Sequence, residues 1–163
     1  MTVSYEDLLE NGSWDEIPTD KLLPEGNYLL KGKNAVVVEP KEKGQSKRVL
    51  FFYNVIEAME DVDADELAAL GEDFDITEKE VVAQFFVSKR NDMDRIRYHL
   101  LAHGVDVPTP EDVARGAPKK SIPESFKEFK GTEVVAFLKQ NTFTDNSGEV
   151  RQDNRPSAFT PIG

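Results

Sequence analysis

Hydrophobic and polar residues alternate along the chain in a pattern that predicts five β-strands. Val, Leu, Ile and aromatic residues concentrate at Asn27–Glu39, Lys47–Ala58 and Val81–Val87 in the first half, and at Thr132–Asn141 and Glu149–Asn154 in the second. Runs of β-branched and aromatic residues bounded by Gly, Pro, Asn and Asp are typical of strands. The pattern therefore predicts three strands in succession, a long intervening segment, and then two more strands.

The intervening segment contains the clearest helical pattern of the chain, at Asn91–His103. Hydrophobic residues recur there at intervals of three and four positions, so they share one face of a helix. Asn91 can cap the start of this helix, and Gly104 suits its end. The residues of the apolar face are Met93, Ile96 and Leu100.

Three other segments have weaker patterns. Asp63–Leu70 predicts a short helix, and Pro108–Ala117 predicts one further helical turn. Hydrophobic residues in Ala117–Lys130 follow neither the spacing of a helix nor the alternation of a strand. We therefore interpret this segment as a loop that Phe126 and Phe129 hold against the core.

The order of these elements is that of a small five-stranded barrel. The sequence predicts a mainly β protein with one principal helix between strands three and four, as in the oligonucleotide/oligosaccharide-binding (OB) fold. A twisted antiparallel sheet packed on one helix is the alternative. The predicted organisation is an acidic arm at 1–22, an OB-fold-like domain at 23–155 with an acidic insertion at about 60–79, and a C-terminal tail at 156–163.

The total net charge argues against nucleic-acid binding, but the distribution of charge along the chain is compatible with it. The 163 residues include 31 Asp and Glu against 20 Lys and Arg, a net charge of −11. Residues 1–30 carry −6 and residues 57–80 carry −10, which leaves the other 109 residues at +5. Because charges are screened beyond about 8–10 Å, the local balance matters more than the total. We therefore expect two acidic segments on a mildly basic barrel.

Several classes of protein are excluded or disfavoured. The chain has no Cys, which excludes disulfides and thiolate chemistry. Its apolar runs are too short for a membrane-spanning helix, and its start lacks a secretory pattern, so we expect a cytoplasmic protein, in the host cell if it is phage-encoded. Phosphate-binding glycine loops and hydrolase motifs are also missing. We therefore expect no enzymatic activity and no cofactor.

A metal-dependent enzyme is the weakest of the alternatives. His99 and His103 have helical i, i+4 spacing, but the intervening residues lack a catalytic Glu and no third ligand is evident. An exposed or cationic pair near a helix end is the simpler interpretation. Asp61–Asp65 resembles a calcium loop only faintly, because the required Gly and Glu are out of place.

Nucleic-acid binding requires cations for phosphates and exposed aromatic faces for bases, and residues 31–56 supply both. Lysines occur on the first strand and in the following hairpin loop, and an aromatic run occupies the second strand. One register step exchanges the two faces of a strand, so which of Phe51, Phe52 and Tyr53 is exposed is left open.

These segments together resemble the small single-stranded DNA-binding proteins of phage replication and recombination modules. The segments that carry the resemblance are Leu23–Tyr28, the Lys41–Lys47 hairpin, Arg48–Val55, Leu100–Val105 and Phe129–Val134, with a closing hairpin through Gly148. The resemblance implies an OB barrel that coats single-stranded DNA without sequence preference, with phage replication or recombination proteins as further partners. The predicted DNA-binding residues are Tyr28, Lys31, Lys33, Lys41, Lys43, Lys47, Arg48, Phe52, Tyr53, Phe86, Lys89, Arg90, Lys139, Arg151 and Arg155.

The chain departs from that family in its last residues, which are not acidic. Proteins of this type commonly end in an acidic tail that recruits partners and competes for the DNA groove. Either acidic segment can take that role here, so we expect removal or neutralisation of Glu60–Glu78 to tighten DNA binding.

One rival function comes from a different class: an acidic protein-interaction module, a phage accessory or structural protein, or a DNA mimic. It predicts that substitution of Lys31, Lys33 and Arg90 leaves function untouched. The oligomeric state is left open.

Overall fold

A computed structural model of the protein describes residues 5–14 and 21–162. Its centre is a five-stranded sheet with the order β3-β2-β1-β4-β5, in which every neighbouring pair is antiparallel. The five predicted strands are confirmed, with the bounds β1 Gly26–Val38, β2 Lys47–Ala58, β3 Glu80–Val87, β4 Glu133–Thr144 and β5 Val150–Pro161.

Helices surround the sheet and are more numerous than the sequence predicted. They are α1 Tyr5–Asn11, α2 Ala64–Ala68, α3 Arg90–Ala102, α4 Pro110–Ala114 and α5 Ile122–Phe129, with a 3₁₀ turn at Ile76–Glu78. The predictions of α2, α3 and α4 are confirmed. Within the described residues, no helix combines the length and the apolar character needed to cross a membrane.

The expectation of one principal helix and of a loop at Ala117–Lys130 is wrong, because α5 lies there. The Ser121 hydroxyl accepts a hydrogen bond from the backbone N–H of Glu124 at 3.2 Å and so caps the helix. Phe129 on its inner face is fully buried. The cap and the buried ring stabilise a helix that is too short to show a clear period.

The start of α3 also differs from the prediction. Lys89, not Asn91, is the N-cap residue. The Asp92 carboxylate accepts hydrogen bonds from the backbone N–H groups of Ser88 at 2.8 Å and Lys89 at 3.1 Å. A carboxylate at this position satisfies donors that the helix leaves unpaired. The apolar face is confirmed, because Ile96 and Leu100 are buried and Met93 packs against the core.

Alternation along β2 decides which aromatic rings form the core. Val49, Phe51, Tyr53 and Val55 are buried, whereas Phe52 between them is only half-buried. Successive side chains of a strand point to opposite faces, so Phe52 lies on the other side of the sheet. The same alternation buries further side chains of the neighbouring strands: Tyr28, Leu30, Val81, Ala83, Val134, Ala136 and Leu138.

The two edge strands of the sheet, β3 and β5, approach one another. They are in contact, and a cavity of about 340 Å³ lies between them, although no backbone ladder joins them in the described part of the chain. Residues 156–161, which the sequence analysis assigned to a tail, belong to β5. A bulge with Ala158 at φ 49° places Phe159 against the ring of Tyr53, with centroids 5.7 Å apart.

The acidic segment between β2 and β3 is part of the fold and not an appendage. The Asp61 carboxylate accepts hydrogen bonds from the backbone N–H of Asn27 at 3.1 Å and from its side-chain amide at 3.0 Å. Val62 is buried, and Phe74 and Ile76 pack against the core. A Cβ atom at Gly26 would lie 2.7 Å from a Val62 methyl group, so the segment packs tightly where β1 begins.

Candidate nucleic-acid interface

The outward-facing side chains of β1, β2 and β3 form a continuous surface, which we call the outer face. The register places them in three rows across the strands, and residues in one row point to the same side. The rows are Val38, Arg48 and Phe86; Val36, Leu50 and Gln84; and Asn34, Phe52 and Val82. Most of these residues are apolar, and Phe86 is 55% exposed. The result is an exposed, largely apolar sheet surface that includes two aromatic rings.

The first row of the outer face opens into a cleft of about 620 Å³, which we call the loop cleft. The β1–β2 loop forms one wall, the β4–β5 loop contributes Asn146, and Arg48 and Phe86 lie between them. The Arg48 guanidinium donates a hydrogen bond to the Gln84 side-chain oxygen at 2.9 Å, which fixes it beside the ring. The residues lining the cleft are Glu39, Pro40, Lys41, Glu42, Gln45, Ser46, Arg48, Phe86 and Asn146.

The predicted lysines are exposed near these surfaces, and several are paired with carboxylates. Lys47 lies 3.2 Å from Glu39, and Lys33, the extra residue of a β1 bulge, lies 2.6 Å from Glu80. Exposed ion pairs contribute about 0–1 kcal/mol each, so a phosphate can replace the carboxylate at little cost. Lys41, Lys43 and Lys89 are exposed near the cleft, in the β1–β2 loop and after β3, whereas the exposed Lys31 lies nearer the start of β1, opposite Asn54.

Arg90 stands somewhat apart from this group. It is the first residue of α3, and its guanidinium lies 3.9 Å from the Asp94 carboxylate one turn along the helix. Its side chain is almost fully exposed.

The last two strands continue past β1 as a two-stranded ribbon that carries the remaining predicted cations. Pairing of β1 with β4 ends at Leu138, whereas β4 and β5 stay paired to the end of the hairpin. Lys139 lies opposite Arg155, and Arg151 lies opposite Phe143. The Arg155 guanidinium is 5.6 Å from the centre of the Phe143 ring. The ribbon therefore presents three cations and one aromatic ring on a single face, together with Asp153, whose carboxylate lies 3.3 Å from the Arg155 guanidinium. Asn146 at the tip of the ribbon lines the loop cleft.

The prediction that Tyr28 and Tyr53 bind DNA is wrong. Both rings are fully buried, so neither has an exposed face on which a base can stack. The Tyr28 hydroxyl donates to the carbonyl of Pro24 at 2.7 Å, and burial raises the pKa of Tyr28 to about 12. Both side chains belong to the core because they share the inward face of their strands with Leu30 and Val55.

Tyr53 forms a buried polar cluster with His99 and His103. Its hydroxyl oxygen lies 2.6 Å from Nε2 of His99 and 2.7 Å from Nε2 of His103, while Nδ1 of His103 lies 2.6 Å from the backbone carbonyl of His99. Because a carbonyl only accepts, Nδ1 of His103 carries the proton. The neutral His103 ring then accepts from Tyr53, and Tyr53 accepts from Nε2–H of His99.

The expected exposed or cationic histidines are therefore buried and neutral. Burial, reinforced by the neighbouring His103, lowers the pKa of His99 to about 3. Burial also lowers the pKa of His103 and raises that of Tyr53. Across the residues that the structure describes, no group of three or more His, Asp or Glu side chains is placed to hold a metal ion.

Sequence reasoning missed the apolar part of the outer face and the ring on the ribbon. These residues are Val36, Val38, Leu50, Val82 and Phe143. Alternation along β2 could have predicted part of the outer face, because a buried Phe51 places Leu50 and Phe52 on the opposite side of the strand. The register with β1 and β3 was needed to bring the three strands into one surface.

Neither the comparison with models of protein families nor the comparison with curated proteins found a match.

Proposed function

We propose that the protein is a non-enzymatic single-stranded DNA-binding protein of the OB type, acting in a phage replication or recombination module. The strand order supports the fold, because β1 pairs with both β2 and β4 while the edges β3 and β5 approach one another. OB folds also place a helix between strands three and four and bind oligonucleotides between the β1–β2 and β4–β5 loops. Here α3 occupies that position in the chain.

The observation that carries the proposal is the loop cleft itself. It lies between those two loops, and its floor holds the half-exposed ring of Phe86 beside the guanidinium of Arg48. A base can stack on the ring while its phosphate contacts the cation, an arrangement that accepts any base sequence. Lys41 and Lys43 of the β1–β2 loop supply further positive charge at the rim.

A path for a single strand follows from these positions. Bases stack on Phe86 and Phe52 along the outer face, and the backbone follows Lys31, Lys33 and Lys89. Lys139, Arg151 and Arg155 of the ribbon extend the positive surface on the other side of the cleft. Each stacked base contributes about 1–3 kcal/mol, and phosphate contacts make the affinity fall steeply with salt.

The test is a salt-titrated binding measurement with a fluorescent oligo-dT and the matched duplex. The variant Phe86→Ala removes the ring from the cleft, and we expect binding of the single strand to weaken about 5- to 150-fold. Tyr98→Ala is the matched control, because Tyr98 is an exposed ring on α3 that does not line the cleft.

The control variant should bind as the unchanged protein does, and the duplex should bind more weakly than the single strand. Absence of single-strand binding at low salt would refute the proposal. Equal losses in Phe86→Ala and Tyr98→Ala would show that the cleft is not the site.

A further inference from the structure

The N-terminal segment presents hydrophobic side chains to solvent in an acidic context. Leu9 on α1 is 88% exposed and Trp14 just beyond it is 87% exposed, the highest values among the large hydrophobic residues of the described chain. Glu6 and Glu10 are also exposed. Residues at i, i+3 and i+4 share one side of a helix, so Glu6, Leu9 and Glu10 form a single acidic and apolar face. We call residues 5–14 the arm.

A second surface has the complementary character. A groove of about 360 Å³ lies between α5 and β1, and we call it the α5 groove. The α5 side chains that line it, Pro123, Phe126 and Lys127, are spaced i, i+3 and i+4, so they occupy one face of the helix. Lys130, the C-cap residue directly after α5, lines the groove too, and Asn34 and Ala35 of β1 complete it. Its apolar floor is therefore bordered by two lysines one turn apart.

We propose that the arm of one copy docks in the α5 groove of a second copy. Leu9 and Trp14 then cover Pro123 and Phe126, while the two glutamates, one turn apart on α1, face Lys127 on α5 and Lys130 at its C-cap. The surfaces match in charge and in hydrophobic character. The pairing is that of a short amphipathic helix in a groove, one of the recurring modes of peptide recognition.

The exposure of the arm in its own chain points to a second copy as the occupant. Leu9 and Trp14 are uncovered although the groove is present in the same molecule. Where the described chain resumes, Leu23 is buried, and its backbone N–H donates to the Asn154 side chain at 2.9 Å. The described chain is therefore fixed to the fold at Leu23, and Leu9 and Trp14 face solvent.

Docking of an arm in a neighbour's groove closes a dimer if two copies exchange arms, and it adds copies in a ring or a row if each arm docks on the next copy. A surface of this size gives a weak interaction on its own. It strengthens when several copies are held close together, because the effective concentration rises. The contact does not require the proposed function, although a row of copies suits a protein that coats a strand.

The single tryptophan of the chain, Trp14, makes the test direct. Full-length protein without nucleic acid is followed over a concentration series by tryptophan fluorescence and by sedimentation. We expect the emission to shift to the blue as the mean mass rises, because the same event buries the indole and joins the copies. Omitting nucleic acid keeps the result independent of the proposed function.

Charge reversal identifies the two surfaces. Variant one carries Lys127→Glu and Lys130→Glu, and variant two carries Glu6→Lys and Glu10→Lys. Each alone faces like charges, so we expect self-association to weaken about tenfold or more. Mixed together, the lysine arm of variant two fits the glutamate groove of variant one, and association returns. Lys119→Glu, an exposed site between α4 and α5, is the control and leaves association unchanged.

Three results would overturn the proposal. One is a monomer whose Trp14 emission stays that of an exposed indole at every concentration. Another is a monomer with a buried indole, which would place the arm in its own groove. The third is association that the charge reversals leave intact or that mixing the two variants fails to restore.

Discussion

The two ends of the β1–β2 hairpin are built from the same pair of strands and have opposite character. At one end, where β1 ends and β2 begins, the loop cleft is open. Its lining includes the exposed ring of Phe86, the cations Lys41 and Arg48, and the carboxylates Glu39 and Glu42. At the other, where β1 begins, Val62 is buried against Gly26 and the Asp61 carboxylate holds the backbone of Asn27. We call this second region the closed end.

The difference shows where the excess negative charge lies relative to the loop cleft. Asn27 and Glu39 are twelve residues apart on or beside β1, which is about 40 Å along the strand. This separation is several times the screening length of about 8–10 Å. The acids of the closed end therefore have little influence on the potential at the cleft. Stability should depend on the closed end and the core, and binding on the cleft.

The largest effect we expect is on stability, from a charge placed in the closed end. Val62→Asp puts an unpaired carboxylate where Val62 is buried, and we expect the free energy of unfolding to fall by about 3 kcal/mol or more. Urea denaturation measures the loss. The folded fraction should keep its affinity for oligo-dT.

The control for this variant is Val150→Asp, because Val150 is 71% exposed. We expect it to change the stability by less than about 0.5 kcal/mol. If the two substitutions cost the same, the closed end is not packed as described.

The second effect we expect is a loss of stability in acid. It comes from buried histidines and not from residues of the loop cleft. Burial lowers the pKa of His99 to about 3, below the value of about 6.5 in an unfolded chain. The unfolded state therefore binds the proton more readily, so stability is complete above about pH 6.5 and falls as the pH drops. His99 alone should cost about 2 kcal/mol at pH 5.

Urea denaturation at pH 7 and pH 5 tests this expectation, and His103 should add to the loss because burial lowers its pKa too. In His99→Gln the pH dependence should be smaller, since one of the two groups no longer titrates. A stability that is the same at both pH values would contradict the buried, neutral cluster.

A smaller effect should follow from removing cations at the rim of the cleft. With Lys41→Ala and Lys43→Ala, the slope of log affinity against log salt concentration should decrease by about 0.7 for each phosphate that the protein no longer neutralises. Stability should be unchanged, because both side chains are exposed. The control Lys119→Ala removes one exposed charge outside the cleft and should keep the slope.

The smallest effect should come from the acids of the closed end. From the sequence, neutralisation of Glu60–Glu78 is expected to tighten DNA binding, whereas in the structure the acids beside Val62 lie at the end of β1 away from the cleft. We now expect Glu60→Gln, Asp65→Asn and Glu66→Gln together to change the affinity by less than about twofold at physiological salt. Tighter binding well beyond that would mean that these acids reach the cleft.

The strands and the main helix could be predicted because each leaves a local pattern. Alternation at Val81–Val87 and the three- and four-residue spacing of Met93, Ile96 and Leu100 follow from the geometry of one element alone. The short helix α5 could not be predicted in this way. Eight residues are too few for a clear period, and α5 is stabilised by its cap and by burial of Phe129.

The candidate site was predictable in its charges but only partly in its aromatic rings: the predicted rings of Phe52 and Phe86 lie on the outer face, and those of Tyr28 and Tyr53 do not. Lysines are exposed almost wherever they occur, so Lys31, Lys41 and Lys43 were assigned to the surface correctly. A ring in a strand lies on either face, and the register of three strands decides which. That register buried Tyr28 and Tyr53, left Phe86 exposed, and assembled the outer face from residues far apart in sequence.

The amino-acid sequence by itself determined the number of strands, their order with the main helix, and the confinement of the negative charge to two segments. These properties depend on neighbouring residues and are written in local periodicity and composition. Only the tertiary structure decided that the second acidic segment closes one end of the sheet, that His99 and His103 are neutral partners of Tyr53, and that the cleft forms at the opposite end. Each of these depends on packing between residues distant in sequence, which no local pattern specifies.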